Sequence, residues 1–379
     1  MDKKLVLAVA GSGKTYYLCQ TLVEKEKNLI LAFTHENIKN ISNEIIKRFG
    51  YIPDKICILT FSAFLYRYIL FPYVFSITKA FDSNKSIFGV ETSASPKPRI
   101  NGRFNPKYKK KEYIEHYISK DNKFYCDLMS ELALSTKDGD YTIAEKALKK
   151  LNCFFDRVLI DEVQDYRNSD YDFLIKMFKC IDNIITVGDY YQHSVSGLNN
   201  TGRPFSRGQG TRKRDITYDD YICNVEAEGI TVDTDTLCSS RRCGPAICDL
   251  IFKKLSIPIN SANLADSEII NVDATSLKSI LDNDRIIKLV YSRASHYVFN
   301  AMNWSYSKGS TYEEVCIILT NTYDNILDDS FSLPSNVSTI SKNVFYVALS
   351  RAKLKLYILK NDLFRTIENE YLKPEYKDT

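Results

Sequence analysis

The sequence predicts an α/β fold with parallel sheets. Short runs of β-branched and other apolar residues alternate with helical patterns along most of its 379 residues, as in strands joined by helical crossovers. A glycine-rich segment also separates the first run from the first helix. The predicted strands span residues 5–9, 29–33, 56–60, 157–160, 184–187, 286–291, 315–319 and 354–359, and the first predicted helices span residues 15–26 and 37–49.

The composition is that of an ordinary globular protein, with 44% apolar and 26% charged residues. It is not the composition of a disordered chain or of a membrane protein. The length is sufficient for two or three domains. The formal net charge is only +4, which is too small to indicate a nucleic-acid partner by itself. Such a partner has to be argued from local basic patches.

The ten cysteines are scattered, and the first apolar run stops at Gly11, too early for a secretory signal. No apolar stretch approaches the length of a membrane span. Cys238, Cys243 and Cys248 recur every five residues, which is not the C-x-x-C spacing that binds zinc. We therefore expect a cytoplasmic protein with reduced thiols and no membrane partner.

The segment after the first predicted strand has the spacing of a phosphate-binding loop. It reads AVAGSGKT over residues 8–15 and opens the first predicted helix. Its glycines let successive backbone N–H groups face phosphates, and the helix N-terminus adds positive potential. Lys14 would pair with the β- and γ-phosphates, and the Thr15 hydroxyl would bind Mg²⁺. The predicted nucleotide-binding residues of this loop are Ala10, Gly11, Ser12, Gly13, Lys14 and Thr15.

Two adjacent carboxylates follow the predicted strand at residues 157–160. Open α/β sheets bind their ligands at the carboxyl ends of the strands, where Asp161 and Glu162 stand. Asp161 is suited to hold Mg²⁺, and Glu162 is suited to accept a proton from an attacking water. Together with the glycine-rich loop, the pair predicts a nucleotide-hydrolysing site.

The sequence DEVQD at residues 161–165 resembles the Walker B motif of the UvrD/Rep/PcrA group of superfamily 1 helicases. Further segments resemble other motifs of that group in the same order. They are residues 31–37 (motif Ia), 59–64 (Ib), 187–192 (III), 237–242 (IV), 306–310 (V) and 346–352 (VI). The resemblance implies an α/β fold of two RecA-like P-loop NTPase domains with parallel sheets. It also implies ATP as the nucleotide and Mg²⁺ as the metal.

The resemblance assigns roles to residues of the later motifs. Gln192 would sense the γ-phosphate and help to position water. Arg242 and Arg351 would act as arginine fingers that stabilise charge on the transferring group. Arg241 stands where the group has a base-stacking tyrosine, and its planar guanidinium would stack instead. Gly309, in motif V, completes the predicted cofactor-binding residues.

The predicted organisation is a first RecA-like domain over residues 1–225 and a second over 226–379. The strand–helix alternation stops at about residues 67–155, and we interpret this segment as a mostly helical insertion in the first domain. Little sequence separates motifs IV and V, so the large second-domain insertion of the UvrD group is absent or vestigial. In this respect the chain also resembles compact viral superfamily 1 helicases. The group's adenine-reading glutamine motif has no room upstream of Ala8, which leaves base selectivity open.

The resemblance also predicts a track for single-stranded nucleic acid. Hydroxyl and amide groups would hold phosphates and an aromatic ring would stack on a base, as sequence-tolerant binding requires. A glycine- and arginine-rich segment after motif III would extend the track. The predicted nucleic-acid-binding residues are Thr34, Asn37, Thr60, Phe61, Arg203, Arg207 and Arg212, and for Phe61 a place in the core is an equal alternative.

These features predict a nucleic-acid-stimulated ATPase that translocates along or unwinds its substrate, with DNA preferred over RNA. One alternative is an ATPase switch that senses nucleic acid or nucleotide and licenses a partner nuclease, as in the Gabija-type defence helicases that the chain also resembles. A viral-type RNA helicase is the other alternative. The size fits a phage- or plasmid-encoded protein.

Overall fold

The computed structural model describes residues 2–193, 202–208, 214–263 and 265–377. The chain divides into two compact units. Unit 1 comprises Met1–Leu5, Thr15–Val187 and Gly202–Val232, and unit 2 comprises Val6–Lys14, Gly188–Thr201 and Asp233–Thr379. In the described residues, no helix is both long and apolar enough to cross a membrane.

The first large sheet has six strands. Its inner strands are apolar on both faces, and residues 29–32 are fully buried, as expected of a sheet covered on both sides. Arg157–Ile160 pairs in parallel with both Ile184–Gly188 and Asn28–Ala32, and Asn28–Ala32 pairs in parallel with Ile56–Thr60. The strand order is Thr231–Leu237, Lys3–Ala8, Ile184–Gly188, Arg157–Ile160, Asn28–Ala32 and Ile56–Thr60.

Helices follow the strands Lys3–Ala8 and Asn28–Ala32 after short loops. The first, Lys14–Thr21, is shorter than predicted. The chain after it is charged and turns back, and the Asn28 side-chain amide donates to the carbonyls of Val23 and Glu26. The second helix, His35–Phe49, begins at the Thr34 cap and ends at Gly50, which has a positive φ. Two further helices of unit 1 are Ser169–Cys180 and Tyr218–Glu226.

The predicted insertion in the first domain contains helices and irregular chain. Every strand between residues 67 and 155 is only two residues long. The amphipathic helix Ile143–Leu151 buries Ile143, Leu148 and Leu151 and starts with a complete capping box. The helix Phe61–Phe64 and the π-helix Leu65–Leu70 lead into the insertion, whose further helices include Phe71–Tyr73, Val74–Ala80 and Met129–Ser135. The short strand pairs are Val90–Glu91 with Phe124–Tyr125, Arg99–Ile100 with Arg103–Phe104, and Lys137–Asp138 with Tyr141–Thr142.

Unit 2 contains a five-stranded sheet in which every neighbouring pair is parallel. The strand order is Glu268–Asn271, Ala352–Leu359, Tyr312–Ile318, Ile287–Val290 and Ala301–Asn303. Two short strands, Ser239–Ser240 and Asn260–Ser261, form a separate parallel pair. The helices are Pro245–Leu255, Leu277–Leu281, Thr339–Leu349, Asn361–Arg365 and Glu368–Tyr371.

The helix Thr339–Leu349 is buried over most of its length, because every residue from 343 to 349 is buried. Its Phe345 ring stacks on Tyr323 at 4.0 Å between centroids and packs against Trp304 at 5.0 Å. The Trp304 indole N–H donates to the carbonyl of Leu289, at 3.0 Å. A helix buried on all sides is held in one position, and the segment that resembles motif VI begins on this helix.

The parallel α/β architecture predicted from the sequence is confirmed. All eight predicted strands are present, with their ends shifted by three residues at most. In the two large sheets, three strands were not predicted, namely Thr231–Leu237, Glu268–Asn271 and Ala301–Asn303. Each lies at an edge of its sheet, where a strand is partly exposed and lacks a continuous apolar run.

Candidate functional site

The predicted phosphate-binding loop lies between the strand Lys3–Ala8 and the helix Lys14–Thr21. Gly11 and Gly13 have φ values of 73° and 91°, a region that side chains with a Cβ rarely adopt. The Ser12 side chain is 2% exposed, and its Oγ has no hydrogen-bond partner in the residues that the structure describes. A buried hydroxyl without a partner is costly unless a ligand satisfies it.

The loop is tied to the buried helix Thr339–Leu349 through a phenol. The Ala10 backbone N–H donates to the hydroxyl oxygen of Tyr346, at 2.8 Å. That hydroxyl in turn donates to Oδ2 of Asp189, at 3.1 Å. Burial raises the pKa of Tyr346 well above its usual value, so the phenol is neutral and able to donate.

Asp189 connects this phenol to Gln192. The Gln192 side-chain N–H donates to the same Oδ2 atom of Asp189, at 2.9 Å. The other carboxylate oxygen of Asp189 accepts from the Tyr191 backbone N–H, at 3.0 Å. Asp189 and Gln192 are 0% and 3% exposed. One buried carboxylate therefore orients both the Tyr346 hydroxyl and the Gln192 amide.

The segment with the two predicted arginines of motif IV packs against the same loop. The Arg241 backbone N–H donates to the carbonyl of Gly11, at 2.9 Å. A Cβ added at Gly11 would lie 2.5 Å from Cβ of Arg242 and 2.8 Å from Oγ of Ser240. The Arg242 guanidinium donates to the carbonyl of Ser350, at 3.1 Å. Arg241 is exposed and Arg242 is half-buried.

Arg351 is buried, and its guanidinium donates to protein atoms. Its Nε donates to the carbonyl of Val347 at 2.8 Å, and Nη2 donates to Oγ of Ser350 at 2.9 Å. Its Nη1 donates to the carbonyls of Ser307 and Ser310, at 3.3 and 3.1 Å. Burial and the nearby charge of Arg242 lower the pKa of Arg351 to about 9. Arg351 therefore connects the segment that resembles motif V, residues 306–310, to the helix Thr339–Leu349.

In unit 1, the predicted metal-binding pair is in contact. The Thr15 hydroxyl donates to Oδ2 of Asp161, at 3.1 Å. Oδ1 of Asp161 accepts from the Glu162 backbone N–H, at 2.9 Å. Glu162 has φ 56° and ψ 47°, in the left-handed region, and its carboxylate accepts from the Gln164 side chain. A non-glycine residue held in this conformation is strained, which is frequent at functional sites.

Three of the predicted nucleic-acid-binding residues lie at the carboxyl ends of neighbouring parallel strands, since Ala32 pairs with Thr60. The Thr34 hydroxyl donates to the Asn37 side-chain oxygen at 2.8 Å and accepts from the Asn37 backbone N–H at 3.2 Å. Thr60 caps its own helix by accepting from the Ala63 backbone N–H, at 3.1 Å. Thr34 is exposed, and Asn37 and Thr60 are half-buried.

Phe61 is placed in the core and not at the surface. It is 4% exposed, and its ring packs edge-on against Tyr166 at 4.7 Å and near Phe173 at 6.0 Å. The predicted base-stacking role therefore has no exposed ring face here, and the alternative of a core residue describes this structure. Phe33 is 38% exposed and packs edge-on against Tyr166, at 5.6 Å. Because Phe33 is exposed and immediately precedes Thr34, it presents an accessible ring at this edge of the sheet.

The arginines after motif III are engaged with neighbouring side chains. Arg203 forms a salt bridge with Asp172, at 2.7 Å, and the Arg207 guanidinium donates to the Asn224 side-chain oxygen, at 2.8 Å. Arg212 lies outside the described residues. Gly309 is exposed with φ 90°, and no atom lies within 4 Å of a Cβ built on it. Over the described parts of the chain, no group of three or more His, Cys, Asp or Glu residues could hold a metal.

Two residues at the centre of this arrangement were not assigned roles from the sequence. Tyr346 and Asp189 both lie within segments that resemble helicase motifs, but the spacing of a motif does not show that two side chains meet. Their sequence separation is 157 residues, so only tertiary packing brings them together. Phe33 was missed because its neighbour in sequence, Thr34, was assigned instead.

Comparison with protein families gives two matches in succession along the chain. The model of a family described as an AAA domain matches residues 2–198, which is more than half of the chain. The model described as a viral superfamily 1 RNA helicase core domain matches residues 211–360. No curated protein matches the sequence significantly.

Comparison with solved structures finds viral helicases. The arterivirus nonstructural protein 10 helicase is 13% identical, with a TM-score of 0.46 over 96% of this chain and 61% of that protein. Its complex with DNA gives 13% identity and a TM-score of 0.45, over 96% and 62%. The PRRSV helicase gives 12% identity and a TM-score of 0.43, over 98% and 54%. The chain spans about three fifths of the length of the arterivirus protein.

Proposed function

We propose that this chain, which belongs to the AAA-domain family and is a superfamily 1 helicase, hydrolyses ATP to move along single-stranded nucleic acid. The geometry of the loop at residues 10–15 carries this proposal. Gly11 and Gly13 hold left-handed conformations, and the buried Ser12 hydroxyl has no partner in the described chain. These features suit a loop whose polar groups are completed by phosphate oxygens.

In this proposal, the loop binds the triphosphate through its backbone N–H groups. Lys14, the first residue of the helix, pairs with the terminal phosphates as a point charge. The Ser12 hydroxyl gains the partner that it lacks in the protein. The helix N-terminus adds a favourable potential for the anion.

Thr15 and Asp161 fit a Mg²⁺ ion, because a hydroxyl and a carboxylate already in contact at 3.1 Å are the oxygen ligands that Mg²⁺ prefers. When bound, the ion would neutralise charge on the phosphates. Glu162 is the proposed general base, which accepts the proton of the attacking water at its carboxylate. Its strained backbone positions that carboxylate beyond the strand end.

Gln192 and the arginines complete the proposed chemistry. Asp189 holds the Gln192 amide N–H, which leaves the amide oxygen to orient water. Arg242 is half-buried beside the glycine-rich loop and is the proposed arginine finger. Arg351 uses its donors on protein atoms, and we assign it the role of positioning the segment at residues 307–310. Arg241 and Gly309 remain proposed nucleotide contacts.

The proposed nucleic-acid track runs over Thr34, Asn37 and Thr60 at the strand ends, with Phe33 as the exposed ring that stacks on a base. Arg203 and Arg207 would extend the track by exchanging their present partners for phosphates. The family description of residues 211–360 names an RNA helicase core, so RNA is tested beside DNA. The preference for DNA, and the UvrD/Rep/PcrA type within superfamily 1, stay predictions.

The test is steady-state ATP hydrolysis, with and without single-stranded DNA or RNA. Glu162→Gln should lower the stimulated rate by on the order of a hundredfold or more, because it removes the general base. Glu313→Gln is the matched control, since Glu313 is exposed and forms a surface salt bridge with Lys353, at 3.0 Å. Hydrolysis indifferent to both strands would contradict translocation and favour a nucleotide switch that acts on a protein. Strand displacement then separates unwinding from translocation alone.

A further inference from the structure

The insertion of unit 1 carries a strongly basic segment, residues 97–111, which the proposed nucleotide chemistry does not use. The segment has no acidic residue, and the nearest ones in sequence are Glu91 and Glu112. A local charge of this density on a chain of net charge +4 is not an average property of the protein. The basic residues are Lys97, Arg99, Arg103, Lys107, Lys109, Lys110 and Lys111.

Part of this segment is an exposed β-hairpin. Arg99–Ile100 pairs with Arg103–Phe104 in antiparallel register, so Arg99 lies opposite Phe104. Asn101 and Gly102 form the turn, with φ values of 50° and 79°, as in a type I′ turn. Phe104 is 73% exposed and Ile100 is 58% exposed. Each cross-strand pair therefore presents one arginine beside one exposed apolar side chain.

The hairpin is fixed at its base. Asn105 is 5% exposed, its side-chain amide donates to the carbonyl of Lys97 at 2.8 Å, and its backbone N–H donates to that of Pro98 at 3.0 Å. Further along, the Lys109 carbonyl lies 2.7 Å from Nδ1 of His116. A solvated loop does not need a buried polar anchor. This arrangement presents the basic and aromatic side chains in a defined geometry.

The base of the segment is also connected to the segment that resembles motif Ib. Oδ2 of Asp127 accepts from the backbone N–H and the hydroxyl of Ser95, at 3.3 and 2.8 Å. The preceding residue, Cys126, lies 2.9 Å from the Ser62 hydroxyl through its sulfur. Ser62 is two residues from Thr60. The chain just before the basic segment is thus linked to the proposed nucleic-acid track through four side chains, those of Ser95, Asp127, Cys126 and Ser62.

We propose that the hairpin of residues 99–104 is a second nucleic-acid contact, in which Arg99 and Arg103 bind phosphates and Phe104 stacks on a base. Lys111 is paired with Glu131 at 2.8 Å, whereas in the described chain neither arginine has an acidic partner. A nucleic acid fits this surface better than an acidic protein, because an aromatic ring opposite an arginine matches a base beside its phosphate. The inference rests on the proposed function and extends it.

The experiment measures binding of the full chain to a fluorescein-labelled single strand by anisotropy, between 50 and 200 mM NaCl. The slope of log K against log salt is negative. Arg99→Gln with Arg103→Gln should reduce its magnitude by about 1.4, or about 0.7 for each lost phosphate contact. Phe104→Ala should weaken binding by about tenfold. ATP hydrolysis without nucleic acid should not change in either variant, because neither touches the nucleotide loop.

Two control variants match these changes. Lys25→Gln with Lys120→Gln removes two exposed charges of unit 1 outside the hairpin. Phe75→Ala removes a ring that is 79% exposed on a helix of the same insertion. If the wild-type chain binds and the hairpin variants have the same salt slopes and affinities as these controls, the hairpin proposal is wrong. The proposed function would then still stand. A wild-type chain that binds neither DNA nor RNA would overturn both.

Discussion

The hydroxyl oxygen of Tyr346 lies 2.8 Å from the backbone nitrogen of Ala10 and accepts its N–H. The same hydroxyl donates to Asp189, whose Oδ2 atom also receives the Gln192 amide. Three segments that are distant in sequence are therefore joined by two hydrogen bonds through one oxygen. The phosphate-binding loop and the proposed water-orienting glutamine thus have a shared support.

Tyr346→Phe should preserve ring packing and remove this support. The Ala10 N–H and the Asp189 carboxylate would each lose a buried partner, at a cost of about 1–3 kcal/mol in the free energy of unfolding. We expect kcat for ATP to fall about tenfold, since a lost hydrogen bond of about 1.4 kcal/mol in the transition state has that effect. Thermal unfolding and steady-state kinetics measure the two effects.

Tyr323→Phe is the control for that variant. Tyr323 is 1% exposed, and its hydroxyl lies 3.2 Å from that of Ser341, away from the loop. It should lose stability by a similar amount and retain kcat. If both variants lose kcat equally at a temperature where both are folded, Tyr346 has only a structural role.

Gly11→Ala should abolish nucleotide binding and destabilise the protein. The new Cβ would lie 2.5 Å from Cβ of Arg242, and the backbone φ of 73° would be strained as well. Gly50→Ala isolates the second effect, because Gly50 has φ 82° and no atom within 4 Å of a built Cβ. The control should cost only about 1–2 kcal/mol. Urea unfolding and binding of a fluorescent ATP analogue distinguish the two, and an equal loss of stability would contradict the predicted overlap.

The two arginines of the proposed site should respond differently to alanine. Arg351→Ala removes the buried guanidinium hydrogen bonds to the carbonyls of Val347, Ser307 and Ser310 and leaves a cavity, so we expect a loss of about 3 kcal/mol or more in stability. Arg242→Ala should mainly lower kcat, because its side chain is half-buried beside the glycine-rich loop. Melting temperatures and ATPase rates of both variants provide the test. A stable Arg351→Ala protein with a large loss of kcat would support a direct role for Arg351 at the phosphates.

Alanine substitutions at Phe61 and Phe33 should have different effects, the first on stability and the second on nucleic-acid binding. Phe61→Ala empties a buried aromatic cluster and should cost about 3–5 kcal/mol in stability. Phe33→Ala should cost less stability than Phe61→Ala, because the Phe33 ring is 38% exposed, and should raise the nucleic-acid concentration for half-maximal ATPase stimulation by about tenfold. An unchanged half-maximal concentration would place the stacking ring elsewhere on the track.

The linear motifs were readable because each depends on neighbours in the chain. A glycine-rich loop, a strand that ends in two carboxylates and an apolar run are local patterns, and the structure has the strands and the loop where these patterns predict them. Thr15 and Asp161 were assigned to one metal from their residue types, and they are in contact at 3.1 Å. The short helix Lys14–Thr21 differed from the prediction because the Asn28 side chain, a later residue, binds the carbonyls beyond its end.

The α/β class, eight strands of the two large sheets and the phosphate-binding loop could be predicted from the sequence, because they follow from local residue periodicity and backbone preference. The tertiary structure buries Phe61, leaves Phe33 exposed and directs the Arg351 guanidinium to backbone carbonyls. It also decided that Tyr346 joins Ala10 to Asp189, 336 and 157 residues away in the chain. Such contacts depend on how separate elements pack, and no local pattern specifies which face of a residue meets which neighbour. The three edge strands were missed for the same reason, since a partly exposed strand is stabilised by its partner strand and not by its own apolar run.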